Sequence, residues 1–287
     1  MTQLAGILGY PLAHSVSPAF QQAAFDFYSL PVRYQAWPTP PEELEKKVDS
    51  LRDESYLGAN VTVPHKEHVR AYLDDIDPWA RSIGAVNTIV RDGEKLVGYN
   101  TDAYGFLRSL QEEGAFDPRG KRVLLLGAGG AARAACFALA GEGIASLVVA
   151  NRTVERADAL ADEVRASIAD AEAIPLIGAF IRQACRTADL IVNSTSVGMS
   201  HGGADELSPV EGSFIPPEAL VYDMVYNPPD TPLLTEARKV GARTVNGLSM
   251  LIYQGAAAFE HWTGREAPID LMFQAGEQAL ASLVEAG

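Results

Sequence analysis

Val123-Leu124-Leu125-Leu126-Gly127-Ala128-Gly129-Gly130-Ala131-Ala132 is the stretch that decides the fold. Four consecutive apolar side chains read as a strand buried on both faces, and they run directly into glycines. Gly127, Gly129 and Ala132 follow the G-x-G-x-x-G/A spacing. In that pattern the first glycine makes a tight turn, the second lets backbone N–H groups reach a pyrophosphate, and the small third residue lets helix and strand pack closely. An alanine-rich helix from Ala131 to Ala140 follows and sets its positive N-terminal end against phosphates. Gly127, Ala128, Gly129, Gly130 and Ala131 are therefore candidate cofactor contacts, although the loop alone also fits a plain strand-to-helix connection. A second apolar run, Ser146 to Ala150, ends at Asn151-Arg152-Thr153. About 20 residues past the glycines, an NAD site carries an acid for the ribose 2′-hydroxyl. Here the chain offers Asn151, Arg152 and Thr153, with Arg156 one turn on. An acid repels a 2′-phosphate whereas a guanidinium binds it bidentately, so the expected cofactor is NADP (NADPH).

Composition bounds the rest. The chain has 287 residues, 47% of them apolar, enough for two cores of ordinary size. Acidic side chains number 37 and basic ones 23, a net charge of −14 that disfavours nucleic acid and anionic membranes as partners. No apolar stretch approaches the about 20 residues needed to cross a bilayer, and Met1-Thr2-Gln3 leads into a strand without a basic region or cleavage site. A cytoplasmic protein is expected. Cys136 and Cys185 lie in apolar helical contexts without metal spacing, so neither a disulfide nor a metal site is expected.

Along the first third, strands and helices alternate: Leu4–Leu8, a helix Ser17–Tyr28, Arg33–Trp37, a helix Pro41–Arg52 and Gly58–Val63. Alternation of this kind predicts an α/β domain with a mainly parallel sheet. Helical stretches at Lys66–Leu73 and Pro78–Ile83 follow, then a hairpin of Val86–Val90 and Lys95–Tyr99. A helix Ala103–Glu113 connects to the glycine-loop strand. Beyond it, strands at Asp189–Asn193, Leu220–Val225 and Arg243–Val245 predict a doubly wound, Rossmann-type sheet. Met250–Trp262 and Ile269–Glu285 are apolar at helical spacing. The expected domains are 1–102, joined by C-terminal helices in 247–287, and a dinucleotide-binding domain at 103–246.

Four motifs place polar side chains at strand ends, where α/β sheets bind ligands. In His14-Ser15-Val16-Ser17-Pro18, Pro18 at the first helical position makes Ser17 a good N-cap, while Ser15 has no capping duty. Two hydroxyls beside a helix N-terminus also suit a carboxylate. Asn60-Val61-Thr62-Val63-Pro64-His65-Lys66 sets Asn60, Thr62 and Lys66 at a strand end. Gly84-Ala85-Val86-Asn87-Thr88 places an amide on the hairpin. Gly98-Tyr99-Asn100-Thr101-Asp102 ends on a carboxylate, which fits either a site or an N-cap for the helix beginning at Ala103.

These motifs in this order, with the glycine loop, Asn151-Arg152-Thr153, Asn193-Ser194-Thr195-Ser196-Val197-Gly198-Met199 and Tyr253-Gln254-Gly255-Ala256, strongly resemble the shikimate dehydrogenase family across the whole chain. The resemblance implies NADPH-dependent reduction of 3-dehydroshikimate to shikimate, a step of chorismate and aromatic amino acid biosynthesis. It also implies a substrate domain and a Rossmann domain facing each other across a cleft. By resemblance, Ser15 and Ser17 hold the substrate carboxylate with help from Tyr226. Thr62, Lys66, Asn87, Asp102 and Gln254 contact the ring hydroxyls and the reacting oxygen. Thr195, Gly247 and Met250 belong with the cofactor, the last two near the nicotinamide. Gln254 lies in the C-terminal helices, so that segment is expected to return to the first domain. His65 takes no role from the resemblance. A monomer or homodimer is expected.

The residues read on their own agree. Hydride delivery to a ketone builds alkoxide character on its oxygen, so the site needs a proton donor and a positive charge beside it. Lys66 supplies both. A neighbouring Asp102 carboxylate favours the ammonium form, so Lys66 is expected to enter the reduction charged and donate its proton while Asp102 orients it. Two other readings compete: a quinate/shikimate dehydrogenase using NAD, disfavoured by Arg152, and a non-catalytic NADP-sensing module, which has no need of a proton donor. A folate-linked dehydrogenase is disfavoured by the Ser15/Ser17 motif.

Overall fold

The structure, a computed structural model, describes residues 2–12, 15–168, 170–200 and 206–286; His14 of the first motif lies outside them. Its contacts gather into two units, residues 1–105 with 251–287 and residues 106–250. In chain order the elements begin β1 (Gln3–Gly9), α1 (Ser17–Phe27), β2 (Val32–Pro38), α2 (Leu44–Ser50), β3 (Tyr56–Val61), β4 (Asp75–Ile76), α3 (Pro78–Ile83), β5 (Thr88–Asp92) and β6 (Lys95–Tyr99). They continue through α4 (Asp102–Glu112), β7 (Arg122–Leu126), α5 (Gly130–Gly141), β8 (Ser146–Asn151), α6 (Val154–Val164), β9 (Ala171–Pro175), α7 (Gly178–Cys185) and β10 (Leu190–Asn193). The last are β11 (Leu220–Asp223), α8 (Pro232–Lys239), β12 (Arg243–Val245), α9 (Leu248–Thr263) and α10 (Ile269–Ala286).

The first unit is built on a six-stranded sheet in the order β2-β1-β3-β5-β6-β4. β2, β1 and β3 run parallel, β5 and β6 form the antiparallel hairpin, and β4 pairs parallel with β6. On one face Leu44, Val48 and Leu51 of the α2 region pack with Leu8, Ala59, Val61, Ile89 and Leu96 of the strands. Elsewhere Phe25 of α1 meets Phe259 and Trp262 of α9 at ring distances of 5.3 and 6.4 Å. Trp262 also donates its indole N–H to the Ile89 carbonyl at 2.9 Å. That contact needs Gly58, because a Cβ there would lie 2.4 Å from the indole nitrogen. The part of α9 carrying Gln254 thus belongs with the first unit.

The second unit holds a fully parallel six-stranded sheet, β12-β11-β10-β7-β8-β9. Read from β9, this is the order 3-2-1-4-5-6 of a Rossmann sheet, with its switch point between β7 and β10. Leu124 and Leu126 of β7 are buried with Ile191, Val221, Ile181 and Leu234, which explains the unbroken apolar run of the sequence. Both cysteines are free and buried, and burial pushes each thiol up to about 12.

Several elements differ from the sequence expectation. Residues 66–73 form only a 3-10 helix, His68–Tyr72, and residues 41–52 divide into a 3-10 turn and α2. β4, β9, α6, α7 and α8 lacked a distinct signal. Ala171-Glu172-Ala173-Ile174-Pro175 is an edge strand with only Ala171 buried, so it shows neither a continuous nor a strongly apolar pattern.

Candidate active site

The first cluster of site residues gathers beyond the ends of β3 and β6. The chain leaving β3 turns with His65 N–H bonded to the Thr62 carbonyl at 2.9 Å. His65, 1% exposed, places its Nε2 2.7 Å from the Thr39 carbonyl and so fastens this turn beside the end of β2. The Lys66 carbonyl accepts the Val86 N–H at 2.8 Å. His65, which has no role by resemblance, therefore anchors the turn that presents Thr62 and Lys66.

Lys66 Nζ donates to Asp102 Oδ2 at 2.6 Å, a pair whose side chains are 13% and 5% exposed. Asp102 opens α4, but the N–H of Ala103 bonds to Asn100 Oδ1 at 3.2 Å. Asn100 thus does capping work at this end, and both oxygens of Asp102 turn to side chains: Oδ1 accepts from Asn87 Nδ2 at 2.9 Å. The Asn87 amide is oriented without ambiguity, because its Oδ1 accepts the Thr101 backbone N–H at 2.7 Å. Its Nδ2 must then face the acceptors Asp102, Thr101 Oγ1 at 2.9 Å and Gln254 Oε1 at 3.1 Å. Behind it, Asn60 donates to Thr88 Oγ1 at 3.2 Å and accepts from the buried Tyr34 hydroxyl at 2.7 Å. Burial holds the Tyr34 phenol well above its ordinary range, so it stays a neutral donor. Lys66, Asn87, Asp102 and Gln254 are thereby joined in one network although Asn87 and Gln254 are 167 positions apart.

At the start of α1 the structure corrects one detail. The N-cap residue is Val16, with Ser17 as the first helical residue and 3% exposed. Ser15 Oγ accepts the Ser17 N–H at 3.3 Å, so the hydroxyl expected to have no capping duty takes the first helical N–H, and Ser17 is not the N-cap. An accepting hydroxyl keeps its own proton to donate.

In the second unit, Gly127 has a φ of +107°, and a Cβ there would sit 2.5 Å from Ser194 Oγ; only glycine fits this turn. Gly129 precedes α5 in extended conformation, and a Cβ there would meet nothing within 4 Å, so space stands open at the helix N-terminus. Among the described residues no side chain caps that end of a 12-residue helix. Ala128 and Ala131 flank the same turn. At the end of β8, Asn151 Nδ2 donates to the Thr153 carbonyl at 2.9 Å, while Arg152, Thr153 and Arg156 are exposed. Thr195 follows β10, Tyr226 follows β11, and Gly247 follows β12 with its N–H on the Val225 carbonyl at 3.1 Å. Met250 is buried in the first turn of α9. The sequence reading passed over Asp223, wholly buried at the end of β11, whose signal was a carboxylate inside an apolar run.

Among the described residues no helix is long and apolar enough to cross a membrane, and no three His, Cys, Asp or Glu side chains are grouped to hold a metal ion. A Rossmann sheet with an open, uncapped glycine turn, together with a unit carrying a paired lysine and aspartate, defines a dinucleotide-dependent oxidoreductase of two α/β units. Family models agree: the shikimate dehydrogenase substrate binding domain matches residues 7–89, shikimate/quinate 5-dehydrogenase residues 110–202, and the shikimate 5′-dehydrogenase C-terminal domain residues 247–275. The chain is 49% identical over 275 residues to the shikimate dehydrogenase (NADP(+)) of Methanopyrus kandleri, covering 96% of this chain and 94% of that one. It is similar to the shikimate 5-dehydrogenase of Thermus thermophilus solved with NADP(H) and shikimate, at 40% identity, a TM-score of 0.86, and coverage of 96% and 99%. The quinate dehydrogenase of Corynebacterium glutamicum solved with NAD is similar at 31% identity and a TM-score of 0.87, covering 96% and 99%. The chain belongs to the shikimate dehydrogenase family.

Proposed function

We propose that this protein reduces 3-dehydroshikimate to shikimate with NADPH, reversibly, as a cytoplasmic step of chorismate and aromatic amino acid biosynthesis. The observation that carries this reading is the Lys66–Asp102 pair at 2.6 Å, locked by an Asn87 amide whose orientation a backbone N–H dictates. The first unit is the substrate domain. Ser15 and Ser17 take the substrate carboxylate, and the first turn of α1 supplies partial positive charge to it. Thr62, Asn87 and Gln254 hold the ring hydroxyls, and Asp102 accepts from one of them.

Lys66 is the proton donor. Its ammonium, held by Asp102, places a positive charge and a proton where alkoxide character develops on the reacting oxygen. In the oxidation direction the neutral amine takes that proton back from the substrate hydroxyl.

The second unit fits NADP. The uncapped N-terminus of α5 and the open space beside Gly129 accommodate a pyrophosphate on the backbone N–H groups of residues 127–131. Exposed Arg152 and Arg156, with Asn151 and Thr153, suit a 2′-phosphate. Thr195, Gly247 and Met250 flank the nicotinamide. Bound there, NADPH supplies the hydride. The test is absorbance of reduced cofactor on mixing the protein with shikimate and NADP+. Turnover only with quinate and NAD+ would favour the quinate-type reading, and no turnover with any pair would favour a sensor.

A further inference from the structure

Asp223 ends β11 with 0% exposure, and three neutral donors surround it. Oδ1 accepts from Asn193 Nδ2 at 2.9 Å and from the Val225 N–H at 3.0 Å, and Oδ2 accepts from the Thr231 hydroxyl at 2.6 Å. A buried carboxylate held by neutral donors rather than a cation is an expensive way to end a strand. Capping α8 does not require it, since Thr231 Oγ1 itself accepts the Leu234 N–H.

What the carboxylate does is set direction. Being acceptor-only, it holds the Asn193 NH2 at 2.9 Å, with the Val197 carbonyl as a second, longer acceptor at 3.3 Å, and so keeps the Asn193 carbonyl oxygen aimed at Thr195. That oxygen accepts both the Thr195 N–H at 3.1 Å and the Thr195 hydroxyl at 2.7 Å, and Thr195 Oγ1 in turn accepts the Val197 N–H at 3.2 Å. Through the same Oδ1 Asp223 fixes Val225, whose carbonyl holds the Gly247 N–H at 3.1 Å. The fit there is close, because a Cβ at Gly247 would lie 2.1 Å from the Met224 carbonyl oxygen. One side chain thus sets the loops leaving β10, β11 and β12.

We infer that Asp223 is a positioning residue for the nicotinamide side of the cofactor site, acting through Asn193 on Thr195 and through Val225 on Gly247. The inference rests on assigning NADP to the second unit. It is tested by titrating NADPH fluorescence against full-length variants while melting temperature is followed in parallel. Asp223→Ala should weaken NADPH binding by roughly ten- to a hundredfold, which is about 1.4–2.8 kcal/mol at 1.4 kcal/mol per tenfold. Asp223→Asn, which still accepts from Asn193 and Val225 while donating to Thr231, should rescue it to within about threefold. Leu233→Ala is the structural control: it removes buried packing from α8 without removing a donor to Asp223, lowers the melting temperature and leaves NADPH affinity alone. Should Asp223→Ala not fold, Asp223→Ser replaces it, because one short hydroxyl cannot hold Asn193, Val225 and Thr231 together, and it should weaken NADPH binding at least about tenfold. The inference is overturned if Asp223→Ala, or Asp223→Ser in its place, binds NADPH like the wild type, if Leu233→Ala loses as much affinity as Asp223→Ala, or if Asp223→Asn fails to recover affinity over Asp223→Ala. Failure of the wild type itself to bind NADPH would overturn the cofactor assignment and this inference with it.

Discussion

Replacing Lys66 with Met keeps the length and apolar stem of the side chain and removes only its charge and proton. Two effects follow from the geometry, and they fall on different observables. Loss of a positioned proton donor lowers kcat by about 10²- to 10⁴-fold, or about 3–5 kcal/mol of transition-state stabilisation. Loss of the cation also leaves Asp102, 5% exposed, without the ammonium 2.6 Å from its Oδ2. An uncompensated buried carboxylate costs about 3–5 kcal/mol when water is fully excluded. Asn87 still donates to Asp102 Oδ1 and the site is not wholly closed at Lys66, so the loss should fall below that figure. The two effects separate in the double variant Lys66→Met/Asp102→Asn, which removes the stranded charge as well. Its melting temperature should recover toward the wild type while kcat stays low. The assay is initial-rate formation of NADPH from shikimate and NADP+, with melting followed on the same samples. If Lys66→Met kept kcat within about threefold and only raised KM, Lys66 would be a binding group and the proton-donor role would be wrong.

The two glycines of the nucleotide turn should separate fold from binding. Gly127→Ala forces a side chain into a φ of +107° and against Ser194, costing about 1–3 kcal/mol and several degrees of melting temperature. Gly129→Ala meets no atom within 4 Å, so melting should hold while the KM for NADP+ rises; an unchanged KM would mean that the open space is not the pyrophosphate seat. Arg152→Glu places an acid at the end of β8 and should raise the KM for NADP+ at least about tenfold while sparing NAD+; equal effects on both cofactors would remove Arg152 from 2′-phosphate recognition. Burial lifts the Asp223 carboxyl from its ordinary 3.8 to about 6, so between those values the folded state binds more protons than the unfolded chain. The ionised group therefore costs stability above pH 6, by about 3 kcal/mol, and the cost disappears as pH falls toward 4. Relative to the wild type, Asp223→Asn should melt highest at neutral pH and lose that advantage near pH 4, and a melting difference independent of pH would contradict the assignment.

What the sequence made legible was local. Val123–Leu126 and Gly127 announce a buried strand and a turn because both signals lie within a few residues, and Arg152 stands at a fixed distance beyond them. Whether separate motifs share one site is a property of topology. Lys66 meets Asp102 across 36 positions, and Gln254 reaches Asn87 from a helix whose Phe259 and Trp262 pack on Phe25 and bond the Ile89 carbonyl in the same unit. The resemblance of the ordered motifs supplied that juxtaposition where hydropathy did not. Hydroxyl roles were harder, since Ser15 and Ser17 differ in capping by one residue of helix start. Weakly patterned elements such as β9 escaped because an edge strand half open to solvent carries little periodic signal. Asp223 escaped for the opposite reason: surrounded by Leu220, Val221, Tyr222 and Val225, it looked like part of a core strand, and its meaning lay in the donors that the fold brings to it.

The activity itself can be measured directly. Purified protein is mixed with shikimate and NADP+, and the absorbance of reduced cofactor is followed, with NAD+ and with quinate as parallel arms. The expected result is NADPH formation that requires shikimate, is fastest with NADP+ and is lost in Lys66→Met. Preference for NAD+ with quinate, or no reduced cofactor in any arm, would contradict the claim.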